Sequence, residues 1–138
     1  MLDKIPYRFA LQAMMVLLSL VLVFHLLVLF GVLPYEIVWA GKLKNESDMR
    51  SFELVSLAVN AIILLVIWSK ANPERIKVPA KTMRYMLWLI VFIFSLNTLG
   101  NLFAETKLEA LVFTPFTFVS AVLCMRIALY KQDSEDTI

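Results

Sequence analysis

Acid–base chemistry in this 138-residue chain would have to run through two side chains, His25 and Glu53. Around them lie groups that hydrogen-bond without readily ionising. Ser56 and Asn60 follow Glu53 at i+3 and i+7, so all three share one face of a helix. Asn97 and Asn101, four apart, share a second face. Thr114 and Thr117 open a stripe of small residues that continues through Ala121, Cys124 and Ala128. Two kinds of chemistry fit such a set. One is a water-accessible polar pocket with His25 as its proton-sensitive element. The other is a packing layer, in which amides, hydroxyls and small residues hold membrane helices together at roughly 0.6–2 kcal/mol per hydrogen bond. The candidates for either role are His25, Glu53, Ser56, Asn60, Asn97, Asn101, Thr114 and Thr117.

Covalent and redox chemistry have no support. The single cysteine, Cys124, excludes an intramolecular disulfide and a metal site built on cysteine spacing. The sequence contains no CxxC, HExxH, GxSxG or Walker pattern. It carries no glutamate in its first apolar block, where small four-helix multidrug antiporters place one. The expectation is a non-enzyme with no catalytic residues, no metal and no cofactor.

The elements that must position these residues are apolar. Hydrophobic residues make up 61 % of the chain, against a usual share of roughly 45–50 %. They gather into four long blocks, which predict helices over 9–33, 52–69, 84–102 and 108–130. Each comes close to the ~20 residues that cross a hydrocarbon core, where a helix satisfies its own backbone groups. The first block is too long for the apolar region of a secretory signal. The predicted fold is all-α: a single transmembrane domain, an integral membrane four-helix bundle, with residues 131–138 as a polar cytoplasmic tail.

Charge orients the bundle. With four spans, both termini share a side with the 70–84 connection. That side carries nine Lys and Arg: Lys4, Arg8, Lys70, Arg75, Lys77, Lys81, Arg84, Arg126 and Lys131. The other side carries four: Lys42, Lys44, Arg50 and Lys107. Positive residues favour the cytoplasmic face, so both termini are expected inside a cytoplasmic membrane. Tyr7, Trp68, Tyr85, Trp88 and Tyr130 then fall at the inner boundary, and Tyr35, Glu36 and Trp39 at the outer interface. Arg126 is expected to snorkel to the phosphates. The outer loop 34–51 is expected to hold a short interfacial helix ended by Gly41. Ser51 then caps the second span, with Glu53 in its first turn and near the headgroups. Pro115 belongs in the first turns of the fourth span.

At 1.5 Å per residue, His25 and Asn60 lie about 12 Å below the outer ends of these predicted helices, and Asn97 about 8 Å. Thr114 lies about 9 Å down and Thr117 about 13 Å. The polar atoms therefore concentrate in the outer half of the bundle. The stretch Asn97–Cys124, through its "GNLFA" and "TP" elements, resembles the C-terminal half of small bacterial four-helix inner-membrane proteins of unassigned function. That resemblance implies a bacterial inner membrane and brings no functional residues. The leading expectation is an accessory or interaction protein. Its partners would be the lipid bilayer and either further copies of itself or a larger membrane protein, with no nucleic acid. The alternative is a small-solute binder or transporter with an outward-facing polar pocket.

Overall fold

The computed structural model describes residues 1–37 and 43–130. Among these the chain is all-α: α1 (Tyr7–Leu29), α2 (Glu46–Ala71), α3 (Ala80–Leu102) and α4 (Thr114–Leu129), with a π-helical segment, Glu109–Phe113, leading into α4. No strand occurs among the described residues. Four helical stretches are long and apolar enough to cross a membrane, the last of them Glu109–Leu129. Only about a fifth to a third of each apolar window is buried, so most of this apolar surface faces outward. Such a surface is compatible with a multi-pass membrane protein and would be an extensive exposed patch in water.

Local chemistry sets the helix ends, and in places moves them from the predicted bounds. Pro6 and Pro79 stand immediately before α1 and α3. α1 stops at Leu29 rather than at 33 because Gly31 adopts a positive φ of 74°. The Val32 N–H then reaches back to the Leu27 carbonyl at 2.8 Å and the Gly31 N–H to Val28 at 3.0 Å, a Schellman closure. α2 begins at Glu46, well before the predicted start at 52. Asn45, not Ser51, is its cap: the Asn45 side chain accepts from the Asp48 N–H at 2.8 Å. Ser51 lies inside the helix and donates back to the Ser47 carbonyl. In the first loop, Tyr35–Ile37 form one 3-10 turn. Trp39, Gly41 and Lys42, and so the rest of the expected interfacial helix, lie outside the described residues, as does the tail at 131–138.

The fourth span departs most from a simple helix. Pro115 has no N–H and its ring crowds the carbonyl four residues earlier. The turn before it is widened: the Thr114 N–H bonds the Glu109 carbonyl, five residues back, and the Thr114 hydroxyl reaches the same oxygen at 3.3 Å. Thr106 starts this span. Its hydroxyl accepts from the Glu109 N–H at 3.4 Å and donates to the Glu109 carboxylate at 2.5 Å.

The helices form two antiparallel hairpins, α1 with α2 and α3 with α4, joined where α1 packs on α4. Around the bundle the order is α2, α1, α4, α3, and the side between α3 and α2 has little packing. The main core fills the end near the termini. Ala10, Met14 and Leu18 of α1 meet Ile63 and Ile67 of α2, Leu87 and Ile90 of α3, and Cys124 and Ile127 of α4. The stripe predicted on α4 lies in this contact, with Thr117, Ala121, Cys124 and Ala128 all buried. Small side chains let helix backbones approach closely.

The terminal end is also latched. Arg126 Nε donates to the Ile5 carbonyl at 2.8 Å, and its guanidinium lies 5.5 Å from the Tyr130 ring centroid. Tyr130 stacks on Tyr7, with centroids 3.9 Å apart. Arg126 thus bonds the chain itself through Nε, because the segment before α1 folds across the end of α4. Replacing Arg126 by Met should cost about 2 kcal/mol, through loss of a charge-assisted hydrogen bond and a cation–π contact. Unfolding in detergent would show it, and an unchanged midpoint would mean that the latch adds nothing.

Candidate functional site

At the other end, between the loop after α1 and the turn after α3, the core is neither dry nor closed. Its first feature is a hydrogen bond across the α1–α2 hairpin. His25 Nδ1 donates to Glu53 Oε2 at 2.6 Å. The glutamate side chain has no exposed surface, and the imidazole is 17 % exposed. The early start of α2 explains the burial. Glu53 is seven residues into the helix, about 10 Å from its first residue, and not in the first turn at the headgroups. A carboxyl group removed from water needs hydrogen-bonding partners, and the imidazole is one.

Beside this pair lies a cavity of about 190 Å³. α1 contributes Val21, Phe24 and His25 to its wall; α2 contributes Ser56 and Asn60. α3 contributes Phe94, Asn97 and Asn101. Glu109 and Phe113 of the π-helical segment, with Phe116 and Thr117 of α4, complete it. The edge of the Phe24 ring meets Phe113 at 5.0 Å between centroids and joins α1 to that segment. A smaller apolar cluster around Val28 and Met49, with Tyr35 and Leu43 against it, packs near the first loop.

Of the eight residues singled out from the sequence, six line this space: His25, Ser56, Asn60, Asn97, Asn101 and Thr117. Glu53 stands behind His25 as its partner. Thr114 is occupied with the Glu109 carbonyl. Of the predicted outer-interface residues, Tyr35 is half-buried and Glu36 exposed. The polar groups do not close on one another. Asn60 returns its amide N–H to the Ser56 carbonyl of its own helix at 2.8 Å. The side chains of Asn97 and Asn101 make no hydrogen bond among the described residues, and Asn97 is exposed. The one side-chain hydrogen bond between α3 and α4 runs from the Thr98 hydroxyl to that of Thr117 at 2.9 Å, among the described residues.

Two participants were not read from the sequence as part of this layer. Thr98 is one. Glu109 is the other: it is 7 % exposed and sits on the cavity wall. A signal for it exists. Thr106-Lys-Leu-Glu109 has the spacing of a capping box before an apolar run. That pattern directs a glutamate back onto the helix start and not out into solvent. No group of three or more His, Cys, Asp or Glu able to hold a metal occurs among the described residues.

Comparison with protein-family models, curated proteins and solved structures finds no match to this chain. Its functional reading therefore rests on the geometry alone.

The coupling of His25 and Glu53 is directly measurable. His25→Leu leaves the buried carboxylate without its imidazole and should cost about 3–5 kcal/mol. Removing both polar side chains in His25→Leu/Glu53→Leu should recover much of that loss. A double variant no more stable than His25→Leu in detergent unfolding would show that the two groups are energetically independent.

Proposed function

We propose that this chain is a small multi-pass membrane protein that receives a polar ligand in the cavity between its four helices. One observation carries the reading: six of the polar residues gathered by the fold line an open space, and two amides among them, Asn97 and Asn101, make no hydrogen bond among the described residues. A layer serving only as packing glue would pair its amides across helices, because an unmet amide in an apolar medium costs about 1–3 kcal/mol. Asn97 and Asn101 have no such partner among the described residues. The lining combines hydroxyls, amides, one imidazole and one carboxylate with four phenylalanines. A few convergent polar groups in an otherwise apolar wall are the usual form of a small-molecule site.

The charge distribution supports an orientation with both termini cytoplasmic, nine Lys and Arg standing on that side against four on the other. The cavity then belongs to the outer half of the bundle. Among the described residues no hydroxyl or thiol is hydrogen-bonded to His25, and the reading is binding or transfer of a ligand, not its chemical conversion. An accessory role beside a larger protein is compatible with this, but by itself assigns no use to the cavity.

Two measurements test the reading. Asn97→Leu and Asn101→Leu should leave the detergent unfolding midpoint unchanged or higher, since neither breaks a bond within the described chain. A fall by about 1 kcal/mol or more for each would favour glue. Asn101→Trp should fill the cavity. Native mass spectrometry of gently extracted wild-type protein should then show a bound species that Asn101→Trp loses and Val119→Trp, on the exposed face of α4, retains. Identical spectra for all three would overturn the reading.

A further inference from the structure

The cavity has one side that no helix seals. α1 stands between α2 and α4, and α4 between α1 and α3, whereas α2 and α3 meet only sparsely. The groups on that side are polar and accessible: Asn60 is half-buried and Asn97 exposed, and both belong to the cavity wall. Asn97 lies five residues before the end of α3, about 8 Å down the helix. The opening therefore runs along the flank of the bundle, on a surface whose other residues are apolar. Leu96 beside Asn97 is half exposed, and Val59 beside Asn60 is 39 % exposed.

We infer that the cavity is entered sideways, from within the bilayer, and that its ligand is an amphiphile with an uncharged, hydroxyl-bearing head and an alkyl tail. This rests on the cavity being a ligand site, and it names the class of ligand. Size is the first argument. About 190 Å³ holds roughly six waters at their liquid volume, enough for a small head and not for a chain. A tail attached to such a head passes out between α2 and α3 into surroundings as apolar as itself.

The lining selects the head. Amides both donate and accept, as hydroxyls do, so Asn60, Asn97 and Asn101 match a polyol better than a group that only accepts. The Glu109 side chain, held by the Thr106 hydroxyl, lies on the same wall. No Lys or Arg lines the cavity among the described residues, and none of these residues offers a phosphate head a cationic side chain of that kind. Phenylalanine rings cover the remaining wall and suit the carbon-bound faces of a glycerol or sugar.

The test uses the full chain in phosphatidylcholine nanodiscs containing a trace of monoacylglycerol with a diazirine in its acyl chain. On irradiation the adducts should map to α2 and α3 in the half of the bundle that holds Asn60 and Asn97. Unlabelled monooleoylglycerol should compete, and free glycerol at the same concentration should not. The Asn97→Leu/Asn101→Leu double variant should lower labelling by about tenfold, one net hydrogen bond's worth of affinity, while Val119→Leu leaves it intact. Adducts spread evenly over all exposed helix faces would overturn the inference. Labelling confined to the α2–α3 side but untouched by the double variant would reduce that side to a lipid-contact groove. A covalent dimer captured across the gap would assign it to a second copy. Competition by free glycerol as strong as by the acylated form would sink the lateral route and leave the cavity as a site for a soluble ligand. Failure of the cavity itself reads out separately, through the bound species that Asn101→Trp should lose.

Discussion

Glu53 has no contact with solvent, and a carboxylate so placed must be matched by the protein. His25 matches it from the neighbouring helix, and much of the surrounding arrangement follows. The pair fixes the α1–α2 hairpin at the level where the main apolar core has ended. It also fixes which faces of those helices look inward, because the residues one and two turns along α2 from Glu53 are Ser56 and Asn60. Once Glu53 is turned toward α1, these two must line the space beside it. A hydrophobic pair at the same positions could have packed as tightly. What the His25–Glu53 pair adds is a polar environment in which further amides and hydroxyls can face a cavity and not lipid.

The two ends of the bundle are built on opposite principles. Near the termini, small residues of α4 allow close approach, large aliphatic residues interdigitate, and Arg126, Tyr130 and Tyr7 lock the first residues across the base. At the other end the described contacts include the His25–Glu53 hydrogen bond, a threonine–threonine hydrogen bond, an edge-to-face ring contact and the small apolar cluster around Val28 and Met49. A rigid base with a sparsely packed opposite end leaves room for a ligand without weakening the whole, since interiors tolerate voids only at a cost proportional to the surface left uncovered.

Connectivity explains why the gap falls where it does. Two tight hairpins joined through α1 and α4 leave α2 and α3 as the outer members, tied only by the loop at the terminal end. At the opposite end no hydrogen bond or ion pair among the described residues joins them. The widened turn before Pro115 contributes as well. It holds one more residue than an α-helical turn, so Glu109 does not occupy the position that the helical repeat of α4 would give it. Thr106 fixes the carboxylate there. Irregular helical turns of this kind recur at functional sites, and here the irregularity has an evident local cause in the proline.

Much of this was written in the sequence. Four apolar blocks of spanning length, separated by short polar segments, leave few alternatives to four helices. The spacing of Glu53, Ser56 and Asn60, or of Asn97 and Asn101, fixes a shared face because helical geometry is local. Helix ends were less legible, because Asn45 and Ser51 are both good caps and only packing chooses between them. That choice moved Glu53 from the mouth of a helix to its buried interior. What the sequence could not decide is which faces meet and whether they close. Helical periodicity says that polar residues point inward together, and it is silent on whether the groups opposite stand at hydrogen-bonding distance or across an open cavity. That separation is set by the bulk of distant core residues and by which helices are neighbours, quantities that exist only in the packed structure. The same holds for Glu109, whose local pattern marks a helix start and whose place on the cavity wall depends on the helix it faces.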